Sequence, residues 1–488
     1  MQKKISNIIV NIFLIPLIFL SLLGASTALE NNLISASRLG IILVDVIIVV
    51  SILTFLLRRS RIKLSLVNKS MLAYSGGILL LAWQIYLVFT VSGMSLWDPG
   101  LIILKAIGKI SWAREAYFSV YPNTFLMVMV EHGIWKLFGQ PSLQALTLII
   151  GLLNYILLDL GLINLFYLGK KYLHYQSATM LGLGVVLLGV TPWAVIPYSD
   201  IPAFSLTSFT ITALLAFYNA NSLKKRYCYA GVSGLFIGLD YLVKPSLIIT
   251  IIAFVIVALV NIKRFKLNWN VLGAIGVMVV IPFVMFIGIS AYQQHNSYLR
   301  IDSSKAMPMM HFAAMGATGN GAFNEEDVRR DTSIKDPVKR RRVDTQIWKR
   351  RVEKMGWTGY QAFLLKKQIA NTADGTFAWG VEGHFLKLFK NRPSSLGQRL
   401  FYTQNGPNYN SAVKILLQLL WMGTLFAALF AADDDSFIGL LVKYATVGFF
   451  LFLLLFEGGR SRYVIQFLPF ILLLAGIGVQ KLKILLHS

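Results

Sequence analysis

Cysteine, acidic residues and recognisable catalytic motifs are all scarce in this 488-residue sequence. The single cysteine, Cys228, excludes an internal disulfide and a cysteine-based zinc cage. The six histidines are scattered, and the chain has no H-E-x-x-H, G-x-S-x-G or P-loop pattern, so no familiar hydrolase or nucleotide-binding motif is present. Charged residues make up only 14% of the chain, which is too few for the mixed surface of a soluble globular protein.

The few charges are mostly positive. The sequence has 46 Lys and Arg against 22 Asp and Glu, a formal net charge of +24. In a soluble protein such an excess suggests a nucleic-acid partner. Here many basic residues lie in short loops between apolar runs, where they orient membrane helices and meet anionic lipid head groups. We therefore expect membrane lipids as partners and no nucleic acid.

Apolar residues dominate the rest of the chain, at 56% hydrophobic with a mean hydropathy of +0.64. Runs of about 18 to 25 apolar residues recur, each long enough to cross a hydrocarbon core as a helix. The first run is interpreted as a retained helix rather than a signal peptide because it is long. The sequence predicts an all-α polytopic membrane protein with about twelve transmembrane helices. The predicted spans are 7–28, 38–57, 71–93, 142–168, 176–195, 201–219, 228–243, 246–262, 270–291, 412–431, 436–456 and 464–482.

Basic clusters in the loops predict orientation, because cytoplasmic loops carry an excess of Lys and Arg. The clusters are Arg58, Arg59, Arg61, Lys63 and Lys69, then Lys170 and Lys171, then Lys224, Lys225 and Arg226. If all twelve runs span, both termini are cytoplasmic. This orientation requires that the apolar helix at 122–138 does not cross the membrane but lies along the outer face or dips partway in. The charged pair Glu131 and His132 at its middle favours such a placement.

Four parts are predicted along the chain. They are an N-terminal transmembrane hairpin at 1–70, a transmembrane core at 71–292 with a first outer loop at 94–141, an extracytoplasmic insert at 293–410, and C-terminal transmembrane helices at 411–488. Residues 301–400 carry 18 Lys and Arg against 10 Asp and Glu. Long loops translocate largely regardless of charge, so we expect a small folded insert outside. Its basic surface either holds an anionic lipid or polymer or is simply solvated.

Four polar clusters stand where the predicted helices emerge on the outer side. They are Trp97-Asp98-Pro99 with the following loop, Tyr198-Ser199-Asp200-Ile201-Pro202, Asp240-Tyr241-Leu242-Val243-Lys244-Pro245, and Glu457 to Tyr463. The predicted topology places them at one membrane depth, where they can converge on one pocket. Carboxylates beside Arg and Lys suit a reaction in which a hydroxyl loses its proton while a phosphate departs.

The order of these features resembles the GT-C superfamily of polyprenyl-phosphate-sugar-dependent glycosyltransferases, particularly its protein O-mannosyltransferase and aminoarabinose transferase branch. The resemblance spans roughly residues 71–262 and 440–482, and its motifs are individually weak but moderately specific in order and sidedness. The matching positions are Asp98, Tyr121-Pro122-Asn123, Leu137-Phe138-Gly139, Thr191-Pro192-Trp193, Tyr198 to Pro202, Gly238 to Pro245, Arg462-Tyr463 and Pro469.

The resemblance implies a GT-C-like fold with an outer juxtamembrane helix, and an inverting transfer of a sugar from a polyprenyl-phosphate carrier. The acceptor would be a glycan, lipid or protein of the cell envelope, such as a cell-wall polysaccharide. In that reaction Asp98 is the general base, and Asp200 is the second catalytic residue, positioning the acceptor or an optional divalent cation. The expected substrate-binding residues are Arg114, Glu115, Tyr121, Tyr198, Lys244, Glu457, Arg460, Arg462 and Tyr463.

No cofactor is required by this interpretation, although a divalent cation held by Asp98 and Asp200 is considered because carboxylate oxygens suit Mg, Mn or Ca. The active site is expected on the extracytoplasmic face of a bacterial plasma membrane.

Two other functions stay open at this stage, and so does a non-enzymatic scaffold, because resemblance in fold does not by itself establish chemistry. A lipid-linked glycan polymerase or ligase also combines many spans with a basic outer loop, and would depend on the basic residues of 329–351. A polytopic transporter or flippase is less favoured, because the sequence shows no obvious inverted repeat and its ionisable residues gather at outer helix ends.

Overall fold

The computed structural model describes residues 2–34, 66–172, 177–262, 268–379, 386–389, 395–403, 406–407 and 409–487. Helices dominate these ranges. The predicted run 38–57 lies outside the described residues, and each of the other eleven predicted runs coincides with a helix. The prediction of an all-α polytopic membrane protein is confirmed.

The first part of the chain contributes two long helices and a set of short ones. They are α1 (Gln2–Ile34), α2 (Leu66–Val91), β1 (Gly93–Ser95), α3 (Asp98–Ala106), α4 (Trp112–Glu115), α5 (Tyr117–Val120) and α6 (Phe125–Leu137). Helix α6 corresponds to the predicted juxtamembrane helix and packs against α3. Both Glu131 and His132 are buried there, and His132 Nδ1 lies 2.7 Å from the carbonyl oxygen of Ala106.

The middle of the chain forms a run of apolar helices. They are α7 (Leu143–Tyr172), α8 (Ser177–Gly184), α9 (Asp200–Tyr218), α10 (Leu223–Val243), α11 (Ile249–Val260) and α12 (Trp269–His295). A π-helical turn at Val185–Gly189 prolongs α8, and short 3-10 turns at Pro192–Val195 and Pro245–Ile248 precede α9 and α11. Helix α10 packs between α9 and α12.

The segment predicted as an insert is largely helical within its described residues. It contains a 3-10 turn at Ser303–Lys305, α13 (Met309–Met315), α14 (Glu325–Ser333), α15 (Pro337–Thr372), β2 (Leu386–Leu388), α16 (Leu396–Phe401), β3 (Tyr402–Thr403) and β4 (Gly406–Pro407). Helix α15 is kinked at Gly356, whose φ of 64° is outside the helical region. Strand β1 pairs antiparallel with β2, which joins the first outer loop to the insert, and β3 pairs antiparallel with β4.

The chain closes with α17 (Ser411–Leu429), α18 (Phe437–Leu455), a 3-10 turn at Ser461–Phe467 and α19 (Leu468–His487). Helix α1 packs against α17, α18 and the second half of α15, so the first helix of the predicted hairpin is built into the bundle formed by the C-terminal helices. Polar contacts hold it there: the Asn11 side chain donates to the carbonyl of Ala432 at 2.7 Å, and Gln418 donates to that of Ala25 at 2.9 Å.

Eight helices within the described ranges are long and apolar enough to cross a membrane. They are α1, α7, α9, α12, α17, α18, the segment Ala73–Val91 of α2, and the combined segment Ser461–Leu486. The segments Ser177–Gly189 and Pro245–Val260 are shorter apolar helices.

Candidate active site

Residues from distant parts of the chain line one cavity of about 590 Å³. Seven of the eleven site residues predicted from sequence are in its wall: Asp98, Tyr121, Tyr198, Glu457, Arg460, Arg462 and Tyr463. Two more, Asp200 and Lys244, form an ion pair in contact with that wall. The volume lies within the range of roughly 300–1,000 Å³ that is usual for small-molecule sites.

Asp98 is the carboxylate that reaches the cavity from the first outer loop. Trp97 has extended backbone angles and Pro99 follows Asp98, so α3 begins at Asp98 with a proline in its first turn, where no backbone N–H is needed. The positive end of the helix dipole favours a carboxylate at this position. Tyr198 Oη donates a hydrogen bond of 3.4 Å to Asp98 Oδ2. Burial, and then the nearby Asp98, raise the pKa of the Tyr198 phenol, so Tyr198 serves as a protonated donor at neutral pH.

Asp200 begins α9 and is 5% exposed. Its two oxygens face two cations: Lys244 Nζ donates to Oδ1, and Arg462 Nε lies 3.7 Å from Oδ2. Burial lowers the pKa of Lys244, and the charge of Asp200 opposes that shift. Lys244 is placed here because Pro245 lacks a backbone N–H and α10 ends before it, leaving Lys244 with extended backbone angles. The Asp200 carboxylate therefore faces two cationic side chains.

The last turn, from Glu457 to Tyr463, contributes the remaining charges. Tyr463 Oη donates a 2.9 Å hydrogen bond to Glu457 Oε1, and burial raises the pKa of Glu457. The Arg462 guanidinium lies 5.6 Å from the ring centre of Tyr198 and 5.7 Å from that of Tyr463. Arg460 lies 5.7 Å from the ring centre of Trp97. Cation–π contacts of this kind hold guanidinium groups in fixed orientations beside a ligand site.

The insert holds this turn in place through its backbone. Lys367 of α15 donates to the carbonyl oxygens of Gly316, Leu454 and Phe456 at 2.6, 3.0 and 2.6 Å. Gly459 adopts a φ of 72°, which favours glycine, and its N–H donates to Asn371 Oδ1 at 2.5 Å. The position of the arginines therefore depends on α15.

The insert also supplies part of the cavity wall that sequence reasoning missed. Phe312, Phe323 and Val328 line the cavity beside Tyr117 and Tyr121. Phe312 follows a buried histidine in α13, and Phe323 lies in the loop before α14. No sequence pattern marks these residues, because α13 and α14 are short helices and Phe323 lies in a loop, so apolar periodicity does not indicate which surface each side chain faces.

Two predicted residues stand apart from the cavity. Glu115 pairs with Lys105 at 2.5 Å, and Arg114 is exposed; neither belongs to the cavity wall. Asp98 and Asp200 were considered as ligands of a divalent cation. In the structure Asp200 already faces two cationic side chains, Lys244 and Arg462. Among the described residues, the group of three candidate ligands that comes together is instead His311, Asp331 and Asp344 in the insert.

Long apolar helices define an integral membrane protein. The chain belongs to the family described as "Conserved hypothetical integral membrane protein", whose sequence model matches residues 1–483. No functionally curated protein matches the chain by sequence.

Two solved structures show distant likeness to the chain. The archaeal oligosaccharyltransferase AglB from Archaeoglobus fulgidus, in complex with an inhibitory peptide and a dolichol-phosphate, has 12% identity and a TM-score of 0.43 over 86% of this chain and 51% of its own. The chain thus spans about half of the length of that protein. ArnT from Cupriavidus metallidurans, bound to undecaprenyl phosphate, has 12% identity and a TM-score of 0.32 over 84% of this chain and 78% of its own.

Proposed function

We propose that this protein is a membrane glycosyltransferase that moves a sugar from a polyprenyl-phosphate carrier to a hydroxyl group of a cell-envelope acceptor. The observation that carries the proposal is that Asp98, Arg460 and Arg462 line the same cavity. One carboxylate that can accept a proton and two cations that can bind a phosphate thus face one space. The GT-C-like order of motifs in the sequence supports the same reaction.

In the proposed reaction the acceptor oxygen attacks the anomeric carbon of the sugar. The bond from that carbon to the phosphate oxygen breaks, and the polyprenyl phosphate leaves with the bonding electrons. Asp98 accepts the acceptor's proton, which is general-base catalysis. Arg460 and Arg462 neutralise the charge that develops on the departing phosphate. Attack opposite the leaving group inverts the configuration at the anomeric carbon.

The surrounding residues keep these groups in place. Tyr198 donates to Asp98 and so fixes the direction of its carboxylate. Asp200 lies beside Arg462 and orients it, while Lys244 keeps the buried Asp200 neutralised. The aromatic side chains of the wall, including Tyr117, present faces on which a sugar ring can stack.

The cavity residues Asp98, Tyr198 and Glu457, and Lys244 beside them, lie next to the ends of α2, α9, α18 and α10 that the positive-inside pattern assigns to the outer side. We propose that the reaction takes place at the extracytoplasmic leaflet of a bacterial plasma membrane, with the polyprenyl tail among the apolar helices. A glycan polymerase or ligase dependent on basic residues 329–351 is less well supported, because Arg330, Arg340 and Arg351 of that segment bond to groups inside the insert.

The test is transfer from a synthetic short-chain polyprenyl-phosphate sugar by the purified full-length protein in lipid nanodiscs. Asp98→Asn should lower turnover by roughly 10²–10⁴-fold with folding intact. Arg114→Ala is the matched control, because Arg114 is exposed and lies outside the cavity wall; it should retain parental turnover. Equal turnover in Asp98→Asn and the parent protein would overturn the proposal.

A further inference from the structure

A second group of ionisable side chains lies inside the insert. His311 comes from α13, Asp331 from α14 and Asp344 from α15, and all three are 0% exposed. One potential ligand atom from each residue lies within 4.8 Å of the corresponding atoms of the other two. Three separate helices therefore bring a nitrogen and two carboxylates to one enclosed point.

The hydrogen bonds around this point leave one carboxylate oxygen, Asp344 Oδ2, without a donor. Arg330 donates through Nε to Asp331 Oδ1 at 2.7 Å and through a terminal nitrogen to Asp344 Oδ1 at 3.0 Å. Asp331 Oδ2 faces His311 Nδ1, whereas Asp344 Oδ2 is buried and accepts no hydrogen bond. A buried acceptor without a donor is destabilising, and two adjacent carboxylates repel each other.

We propose that His311, Asp331 and Asp344 bind a divalent transition-metal ion of the zinc class. An imidazole nitrogen with two carboxylate oxygens is a donor set that suits zinc and disfavours magnesium and calcium, which prefer oxygen ligands alone. The ion satisfies Asp344 Oδ2 and removes the repulsion between the carboxylates. Arg330 then donates to the Oδ1 atoms of Asp331 and Asp344 and orients both ligands, as hydrogen-bond partners of metal ligands commonly do.

The position of the site suggests a structural role. His311 precedes Phe312, and Asp331 shares α14 with Val328, and both apolar residues line the cavity. A metal ion at this point joins the two helices that carry these residues to α15. It therefore fixes one wall of the cavity without contacting the reacting groups, and its presence does not depend on the proposed glycosyl transfer.

The test uses tag-free, full-length protein in detergent, stripped with a chelator and titrated with Zn²⁺ against a chromophoric chelator. The parent protein should bind one equivalent of zinc, and zinc should raise its thermal unfolding midpoint while Mg²⁺ should not. His311→Gln and Asp344→Asn should each weaken zinc binding by roughly 10–100-fold or more, because each removes a ligand.

The matched control is Asp327→Asn. Asp327 is buried beside the same cluster and bonds to Arg330 and Arg351, but it is outside the ligand group. This variant should lose thermal stability and keep zinc affinity. Failure of the parent protein to bind zinc, or equal zinc affinity in the parent and His311→Gln, would overturn the proposal and leave the cluster as a proton-sharing ionic core. The zinc stoichiometry of the parent protein decides the question even if both ligand variants unfold.

Discussion

The ammonium group of Lys244 donates a hydrogen bond to the carboxylate of Asp200, which lies 44 residues earlier in the chain. Both groups are largely buried. This contact joins the start of α9, at Asp200, to the turn that begins at Pro245 and leads into α11. Both lie next to the cavity. A buried pair of this kind contributes little net stability compared with apolar residues, but it is costly to break.

The first prediction concerns this pair. Asp200→Asn leaves Lys244 without its full counter-charge, and removing one partner of a buried pair typically costs about 3–5 kcal/mol. Thermal unfolding in detergent should show a lower midpoint than in the parent protein. The double variant Asp200→Asn with Lys244→Met should recover part of that loss, since no uncompensated ammonium group remains. An additive effect of the two substitutions would contradict the pairing.

The second prediction concerns phosphate recognition by Arg462. Arg462→Ala should weaken the binding of polyprenyl phosphate, because a charged hydrogen-bonding group is lost from the cavity. Arg462→Lys should not restore full affinity, since the ammonium group lacks the planar fork that binds phosphate and stacks on Tyr198 and Tyr463. Direct binding of the lipid phosphate measures both effects. Arg399→Ala, in α16 and outside the cavity wall, is the control and should bind as the parent does.

Much of the architecture is predictable from the sequence, because length and apolarity are enough to identify a membrane helix. The runs that became α7, α9 and α12 needed no tertiary information. Asp98, Asp200, Lys244 and Arg462 were also predicted from their place at helix ends. A proline directly follows Asp98 and Lys244, and Pro202 lies two residues after Asp200. The topology then placed them on one side.

Side chains in loops and in short helices are harder to place from the sequence. Arg114 and Glu115 share the first outer loop with Asp98, but loop conformation directs Glu115 toward Lys105 instead of the cavity. Phe312 and Phe323 reach the cavity only because a folded insert returns over the helix ends. Such long-range contacts depend on the tertiary packing of α13–α15, which no local pattern specifies.

The third prediction concerns the wall built by the insert. Phe323→Ala opens the cavity and removes an aromatic face without touching the charged groups. We expect KM for the sugar donor or the acceptor to rise, with a smaller change in kcat, because the lost contacts stabilise ground state and transition state alike. Steady-state kinetics with each substrate varied in turn makes this separation. Phe426→Ala, an exposed phenylalanine of α17, should leave both parameters unchanged.

The fourth prediction concerns pH and Lys367. Burial lowers the pKa of Lys367 to about 7, and the charge of Glu457 opposes that shift. The unfolded chain therefore holds a proton on this lysine, with its ordinary pKa near 10.5, over a range where the folded chain does not. Stability should rise with pH between these two values, at a slope of at most about 1.4 kcal/mol per pH unit.

The comparison that isolates Lys367 uses Lys367→Met, which cannot titrate. The difference in unfolding free energy between the parent protein and this variant should shift in favour of the parent as pH increases from 7 to about 9. Chemical denaturation in detergent at several pH values measures the difference. A constant difference across that range would show that Lys367 keeps its ordinary pKa in the folded protein.

The central claim is that lipid phosphate binds at the arginines of the last turn, opposite Asp98. A structure of the full-length protein with a polyprenyl phosphate in nanodiscs tests it directly. We predict phosphate density in contact with the Arg460 or Arg462 guanidinium, at the charge-assisted hydrogen-bond distance of about 2.7–2.9 Å from nitrogen to oxygen. Asp98 should lie across the cavity from this phosphate. Phosphate bound instead on the exposed basic face of α15, with no density in the cavity, would contradict the account.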